Sequence, residues 1–146
     1  MGRMVQAPLN SLTVGSDATQ DLWSLMAAAS NKIVLHGWEI SSDAIAATLL
    51  ELTLHRISAT NSGAAVTEVK LDEDDGAITG IVLSVGTTIS TSTAILAGYQ
   101  WEQLGPLGMI YTPEMRPVIE VSQGIALICN TAAAFEMSGW ICWEEL

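Results

Sequence analysis

The side chains through which this chain could do chemistry are two histidines, two cysteines, sixteen carboxylates and five tryptophans. A metal centre held between β-strands needs two imidazoles and a carboxylate, and a His-x-His or His-x-Asp pair on one strand is the direct way to supply two of them. Here eighteen residues separate His36 from His55 and neither pair occurs. Each therefore reads as a structural imidazole. The run Asp72, Glu73, Asp74, Asp75, Gly76 offers the hard oxygen ligands that suit Ca²⁺. Its glycine comes fifth rather than sixth, however, and Leu83 stands at the twelfth position, where an EF-hand loop carries a bidentate Glu. A solvated acidic turn is the expectation.

Nucleophilic chemistry fares no better. No Gly-x-Ser-x-Gly elbow is present, no glycine loop for phosphates, and neither Cys129 nor Cys142 has the local surroundings of an activated thiolate. A triad assembled from distant residues is invisible at this level, and among sixteen acids some pair always looks eligible for glycoside hydrolysis. The reading assigns no catalytic residue, no cofactor and no metal ligand, and expects a protein that is not an enzyme. Trp23, Trp38, Trp101, Trp140 and Trp143 could stack on sugars or nucleobases. A carbohydrate-binding module therefore competes with core or interface packing, which is preferred.

The elements that must position these groups are strands. From residue 32 onward, short runs rich in Ile, Val, Leu, Thr and Trp are separated by Gly, Asn, Asp, Ser or Pro, the spacing of an all-β domain. Strands are expected over 32–41, 50–58, 66–71, 81–88, 94–102, 108–111, 118–121, 124–130 and 135–145. In the second of these, Leu50, Leu52 and Leu54 alternate with Glu51, Thr53 and His55, giving a buried and a wet face. Arg56 falls on the Leu face, either where the strand leaves the core or as a salt-bridge partner at a subunit contact. In the last strand Phe135, Met137, Ile141 and Trp143 share the core parity, while Trp140 lies among polar neighbours on the other face, as an aromatic at a contact surface would. Residues 21–29 fit a helical turn, capped by Thr19 or Asp17, or a short edge strand; 41–48 fit a loop or one helical turn. Turns are expected at 61–65, 72–76 and 105–108. Residues 1–20 are polar and weakly patterned and read as a flexible arm before one domain over 21–146.

Composition limits the partners. One domain fits 146 residues. Charged residues make up 14%, against about 25% in soluble globular proteins, so part of the surface is expected to be hidden against other subunits. The net charge of −11, with only Arg3, Lys32, Arg56, Lys70 and Arg116 as scattered cations, disfavours nucleic acid and anionic membranes. No apolar run approaches the roughly 18 residues of a membrane span. Residues 1–10 lack a signal peptide's apolar stretch, so folding in a cytoplasm is expected. In that setting Cys129 and Cys142, each within an apolar run, are expected as reduced thiols rather than a bridge.

Residues 21–29 followed by 32–41, then 49–71 with its turn at 60–65, then 116–127 and the Trp-bearing C-terminal strand, together resemble the capsid decoration (cement) proteins of tailed bacteriophages. The resemblance implies an all-β, single-domain antiparallel β-sandwich, jelly-roll-like, with at most one or two helical turns. It implies a homotrimer that binds the major capsid protein on the outer surface of the mature head, made in the host cytoplasm and without turnover. Residues 1–20 would then be a capsid-anchoring arm, and Arg56, Trp101, Arg116 and Trp140 candidate interface residues. A tail, connector or fibre component, or a carbohydrate-binding β-sandwich module, stays open beside it.

Overall fold

The period-two alternation in the sequence becomes two facing sheets. The computed structural model describes residues 2–15, 19–86, 88–130 and 134–146. The strands are β1 (Arg3–Val14), β2 (Gln20–Met26), β3 (Ile33–Ser42), β4 (Leu49–Ala59), β5 (Val69–Lys70), β6 (Ile81–Leu83), β7 (Thr91–Glu102), β8 (Leu107–Ile110), β9 (Val118–Ile119), β10 (Gly124–Cys129) and β11 (Phe135–Glu145). A 3-10 turn at Pro113–Met115 is the only helical element among the described residues. Sheet A runs β5-β1-β11-β3-β8, with β9 also paired to β3, and sheet B runs β6-β2-β10-β4-β7, all antiparallel. The four long strands of each sheet, 1-11-3-8 and 2-10-4-7, alternate between the layers in the order of a jelly roll, in which two Greek keys wrap a single core.

That core is aromatic at its centre. Trp23, Trp38, Trp101 and Trp143 are all at most 2% exposed, beside Leu22, Leu25, Leu35, Leu52 and Ile141. Ring centroids of Trp23 and Trp38 lie 6.0 Å apart, Trp38 and Tyr99 5.5 Å edge-on, and Trp101 and Phe135 5.8 Å edge-on. Burying side chains of this size contributes roughly 1.5–3 kcal/mol each, which a charge-poor chain uses in place of surface ion pairs.

Two expectations about the N-terminal part are corrected. Residues 3–14 are no arm: they form β1, which lies between β5 and β11 and pairs with β11 from Arg3↔Glu145 to Val14↔Phe135. Val5, Ala7 and Leu9 supply a buried face that the intervening Gln6, Pro8 and Asn10 disguise. Of the two readings of 21–29 the strand is the one found, as β2 over Gln20–Met26 and between β6 and β10 rather than at an edge; a bulge opposite Leu127/Ile128 puts Leu22 and Trp23 both into the core. Asp17, one of its expected caps, lies outside the described residues, as do Met1 and the rest of 16–18. The expected strands 66–71, 81–88 and 118–121 shrink to β5, β6 and β9, and Thr87 lies outside the described residues. The 43–48 stretch is a loop.

The two side edges of the sandwich differ. On one, residues 71–80 pass from β5 in sheet A to β6 in sheet B and close the gap between the layers. Glu145, 1% exposed, holds that crossing. Its carboxylate accepts from Thr79 N at 3.0 Å, Thr79 Oγ1 at 3.0 Å and Gly80 N at 2.6 Å, and pairs with Arg3 at 3.0 Å. At the opposite edge only the short connection 103–106 crosses from β7 to β8, and beyond it the layers leave a cleft.

Candidate functional site: the open edge and the outer faces

At the open edge the inward residues of β4 and β7 in sheet B face the end of β8 and the segment that follows it. Between them runs a cleft of about 590 Å³, walled by Leu54, Leu96, Met109, Ile110 and Met115, with Tyr99 and Tyr111 among its lining. The aromatic stack closes its floor: Tyr111 Oη accepts from Trp38 Nε1 at 3.3 Å, and Tyr99 bonds to Tyr111. Burial and the neighbouring Tyr111 push the Tyr99 hydroxyl well above its usual value, so that phenol stays neutral. The cleft's rim is exposed apolar surface, with Ile110 78% and Met115 70% exposed.

Strand β7 borders this cleft as the terminal strand of sheet B, so one row of its backbone N–H and C=O groups is unpaired among the described residues. From Thr91 to Trp101 it carries no charged side chain and no proline. Soluble monomers usually blunt an edge of this length with Lys or Pro. Here the blunting devices are bulges opposite β4, between Leu54 and Ala59, which also turn Leu96 toward the cleft.

The four residues expected at an interface are scattered. Arg56 lines the cleft and is its one charged side chain. It keeps the Leu-face parity of β4 and reaches across the sandwich, donating from Nη1 to Val118 O at 2.9 Å. Arg116 is on the neighbouring segment, half-buried, with its Nε unpartnered among the described residues. Trp101 is corrected to a core residue. It shares the inward parity of Tyr99, is 2% exposed opposite Leu50, and its Nε1 donates to Gly105 O at 2.8 Å. Trp140 is half-buried on the outer face of sheet A, between Pro8 and Glu39. An aromatic platform built on Trp23, Trp38, Trp101 or Trp143 is corrected too, since the core encloses all four. Sequence reasoning missed Tyr99, Tyr111, Leu96 and Met115. The uncharged run from Thr91 to Trp101 was a signal for Leu96 and Tyr99, and nothing comparable marks Tyr111 or Met115.

The chemistry-bearing residues do gather in one place, the outer face of sheet B. His55 Nδ1 lies 2.6 Å from Ser92 Oγ and its Nε2 2.7 Å from Thr53 Oγ1. Nearby, Asp21 is fully buried and accepts on Oδ2 from Ser90 N at 3.1 Å, from Ser90 Oγ, and from Asn61 Nδ2 at 3.2 Å. The residue types of a Ser-His-Asp triad are therefore close, but the wiring differs. Hydroxyls occupy both imidazole nitrogens, so the carboxylate that would orient and charge-balance the ring is bonded elsewhere. Burial lowers the His55 pKa, opposed by the Asp21 charge, and burial raises that of Asp21. Cys129, which belongs to the core and pairs with Leu52, is pushed up to about 12 by burial and then by Asp21, which leaves no thiolate at neutral pH.

A shared metal site fails on topology. His36 lies in sheet A, 3.4 Å from Glu144, and His55 lies in sheet B. Among the described residues no three His, Cys, Asp or Glu gather to hold a metal ion. The acidic turn is braced from within: Asp74 N donates to Asp72 Oδ1 at 3.1 Å, and Lys70 Nζ to the carbonyls of Glu73 and Asp75 at 3.1 and 2.7 Å. Cys129 and Cys142 are both free thiols, one in each sheet. The chain matches no family model and no curated protein.

Proposed function

We propose that this chain is a structural protein of a virus particle, a capsid decoration protein that associates with its own copies and stabilises the mature head of a tailed phage. The observation that carries the reading is the open edge: an uncharged, unpaired β7 beside an apolar cleft, on a jelly roll whose other edge is strapped shut. The low charged share has its physical counterpart there, in apolar area that subunit contacts would remove from water. With residues 3–14 built into sheet A, anchoring falls to folded surfaces rather than to an arm.

In this role the protein turns nothing over. Each copy binds the expanded shell better than its precursor and shifts that equilibrium by its differential affinity, while the net charge of −11 keeps unbound copies apart in solution. The trimeric state and the major capsid protein as partner follow from the resemblance.

Sedimentation of the purified chain over a range of concentrations, with mass spectrometry and electron microscopy of purified phage particles, tests the proposal. A trimer in solution and density on the outer head surface are expected. A chain that stays monomeric at high concentration and is missing from particles overturns it.

A further inference from the structure

Strands β3, β8 and β11 contain no Lys or Arg, while their outward side chains include Glu39, Glu136 and Glu144. Trp140 and Glu39 stand directly opposite each other on β11 and β3. Gly37 lets the indole lie across β3: a Cβ there would meet Trp140 Cη2 at 3.4 Å and Met109 O at 2.7 Å. Glu39 leans the other way, over Gly108, where an added Cβ would sit 3.1 Å from its Cβ and Cγ. Between indole and carboxylate lies a hollow of about 320 Å³, edged by Pro106, Met109 and Ile110. Glu39 is exposed and has no hydrogen bond or ion pair among the described residues.

An aromatic face beside an unpaired carboxylate suits one group above others. A guanidinium is planar, stacks on indole through cation–π attraction, and forks two N–H donors onto a carboxylate. We propose that this outer face of sheet A docks a basic partner protein, with an arginine of that partner stacked on Trp140 and paired with Glu39. Charge chooses the occupant. A second copy carries −11 of its own, and four of its five cations are engaged: Arg3 on Glu145, Lys32 on Glu120, Arg56 on Val118 O and Lys70 on the acidic turn, while Arg116 is half-buried. The inference stands apart from the virion reading, since it names a partner's chemistry and not the particle that partner belongs to.

The test is a titration of the full chain, ¹⁵N-labelled at tryptophan, with a blocked Gly-Arg-Gly-Arg-Gly peptide and its citrulline counterpart, which keeps the shape and loses the charge. The Trp140 indole signal moves first and furthest with the arginine peptide, the effect fades at high salt, and citrulline leaves it in place. Glu39→Gln weakens binding about three- to tenfold, whereas Glu114→Gln, an exposed acid on the 3-10 turn, changes nothing. The four core indole signals verify that each variant is folded. Citrulline shifting Trp140 equally, Glu114→Gln acting like Glu39→Gln, or an unmoved Trp140 signal overturns the proposal, and each does so whatever the oligomeric state.

Discussion

Asp21 and Ser90, sixty-nine residues apart, meet on sheet B, where the Ser90 backbone N–H and hydroxyl both donate to Asp21 Oδ2 and Asn61 adds a third bond. The contact ties the loops after β4 and before β7 to strand β2, because Asn61 belongs to one and Ser90 to the other. Asp21 Oδ1, buried with it, has no partner among the described residues. One oxygen is thus fully used and the other has lost water without compensation, which is why burial outweighs the hydrogen bonds and raises the pKa above its ordinary 3.8.

Stability must then depend on pH with a definite sign. A carboxyl whose folded pKa exceeds its unfolded value binds protons more readily when folded. Its contribution is complete below 3.8 and is lost as pH rises through the raised folded value. Asp21→Asn keeps an oxygen for Ser90 and Asn61, so it should flatten this limb of the profile and match the parent, or exceed it, at neutral pH. Asp21→Ala strands three donors and should cost about 2–4 kcal/mol. Urea unfolding from acid to neutral pH measures both. An unchanged slope in Asp21→Asn would remove Asp21 as the source.

Glu145 performs the corresponding task at the closed edge, and with a charge partner. Its side chain is fully buried while that of Arg3 is 24% exposed, so the two deletions are unequal. Glu145→Ala leaves Thr79 and Gly80 without their acceptor and Arg3 without its charge partner, and should cost about 3–5 kcal/mol, as loss of one member of a buried pair does. Arg3→Ala should cost less, because solvent already screens that side chain. Amide exchange at Thr79 and Gly80 should accelerate in Glu145→Ala ahead of global unfolding. Equal exchange in parent and variant would mean that residues 71–80 are held by something else.

How far these features were legible depends on how the chain meets water. β4 and β11 have one wet face, so strict alternation exposed them, and β11 runs over the expected 135–145. β2 is buried along nearly its whole length, so its apolar residues form a run whose spacing also fits a helix. β1 was hidden by Pro8, which argues against an interior strand. Yet β5 pairs only Val5 and Gln6, so Pro8 lies beyond it, where β1 has a free side and a missing N–H costs nothing. Only the uncharged run of β7 hinted at the open-edge cleft, which joins Leu54 to Tyr111 across two sheets, a pairing that no spacing encodes. Trp140 was placed on its face by parity alone, whereas Trp101 needed the same parity count applied to β7, where Leu50 lies opposite it.

The thiols give a check on burial that is independent of stability. Burial raises both pKa values, that of Cys129 to about 12 with help from the Asp21 charge, and Cys142 is only half-buried. Timed alkylation of the native protein, read by intact mass, should modify Cys142 before Cys129, both slowly, and both at once after denaturation. Cys129 reacting first would contradict its place in β10.

The open edge makes the strongest demand on the self-association proposal. Ile95 is 66% exposed on β7 and opposite His55, where the strand is bulged rather than deep in the core. Ile95→Lys should therefore change the stability of a single subunit by no more than about 0.5 kcal/mol. Placing a lysine on an unpaired edge is also the means by which sheet proteins keep other chains from pairing there. The variant should sediment as a monomer at concentrations where the parent is trimeric, with an unchanged urea midpoint in the dissociated state. Ile45→Lys supplies the control: Ile45 is 99% exposed on the 43–48 loop, away from β7, and its replacement should leave assembly intact. If Ile95→Lys still assembles while Ile45→Lys does not, the subunit contact belongs to that loop and not to the β7 edge.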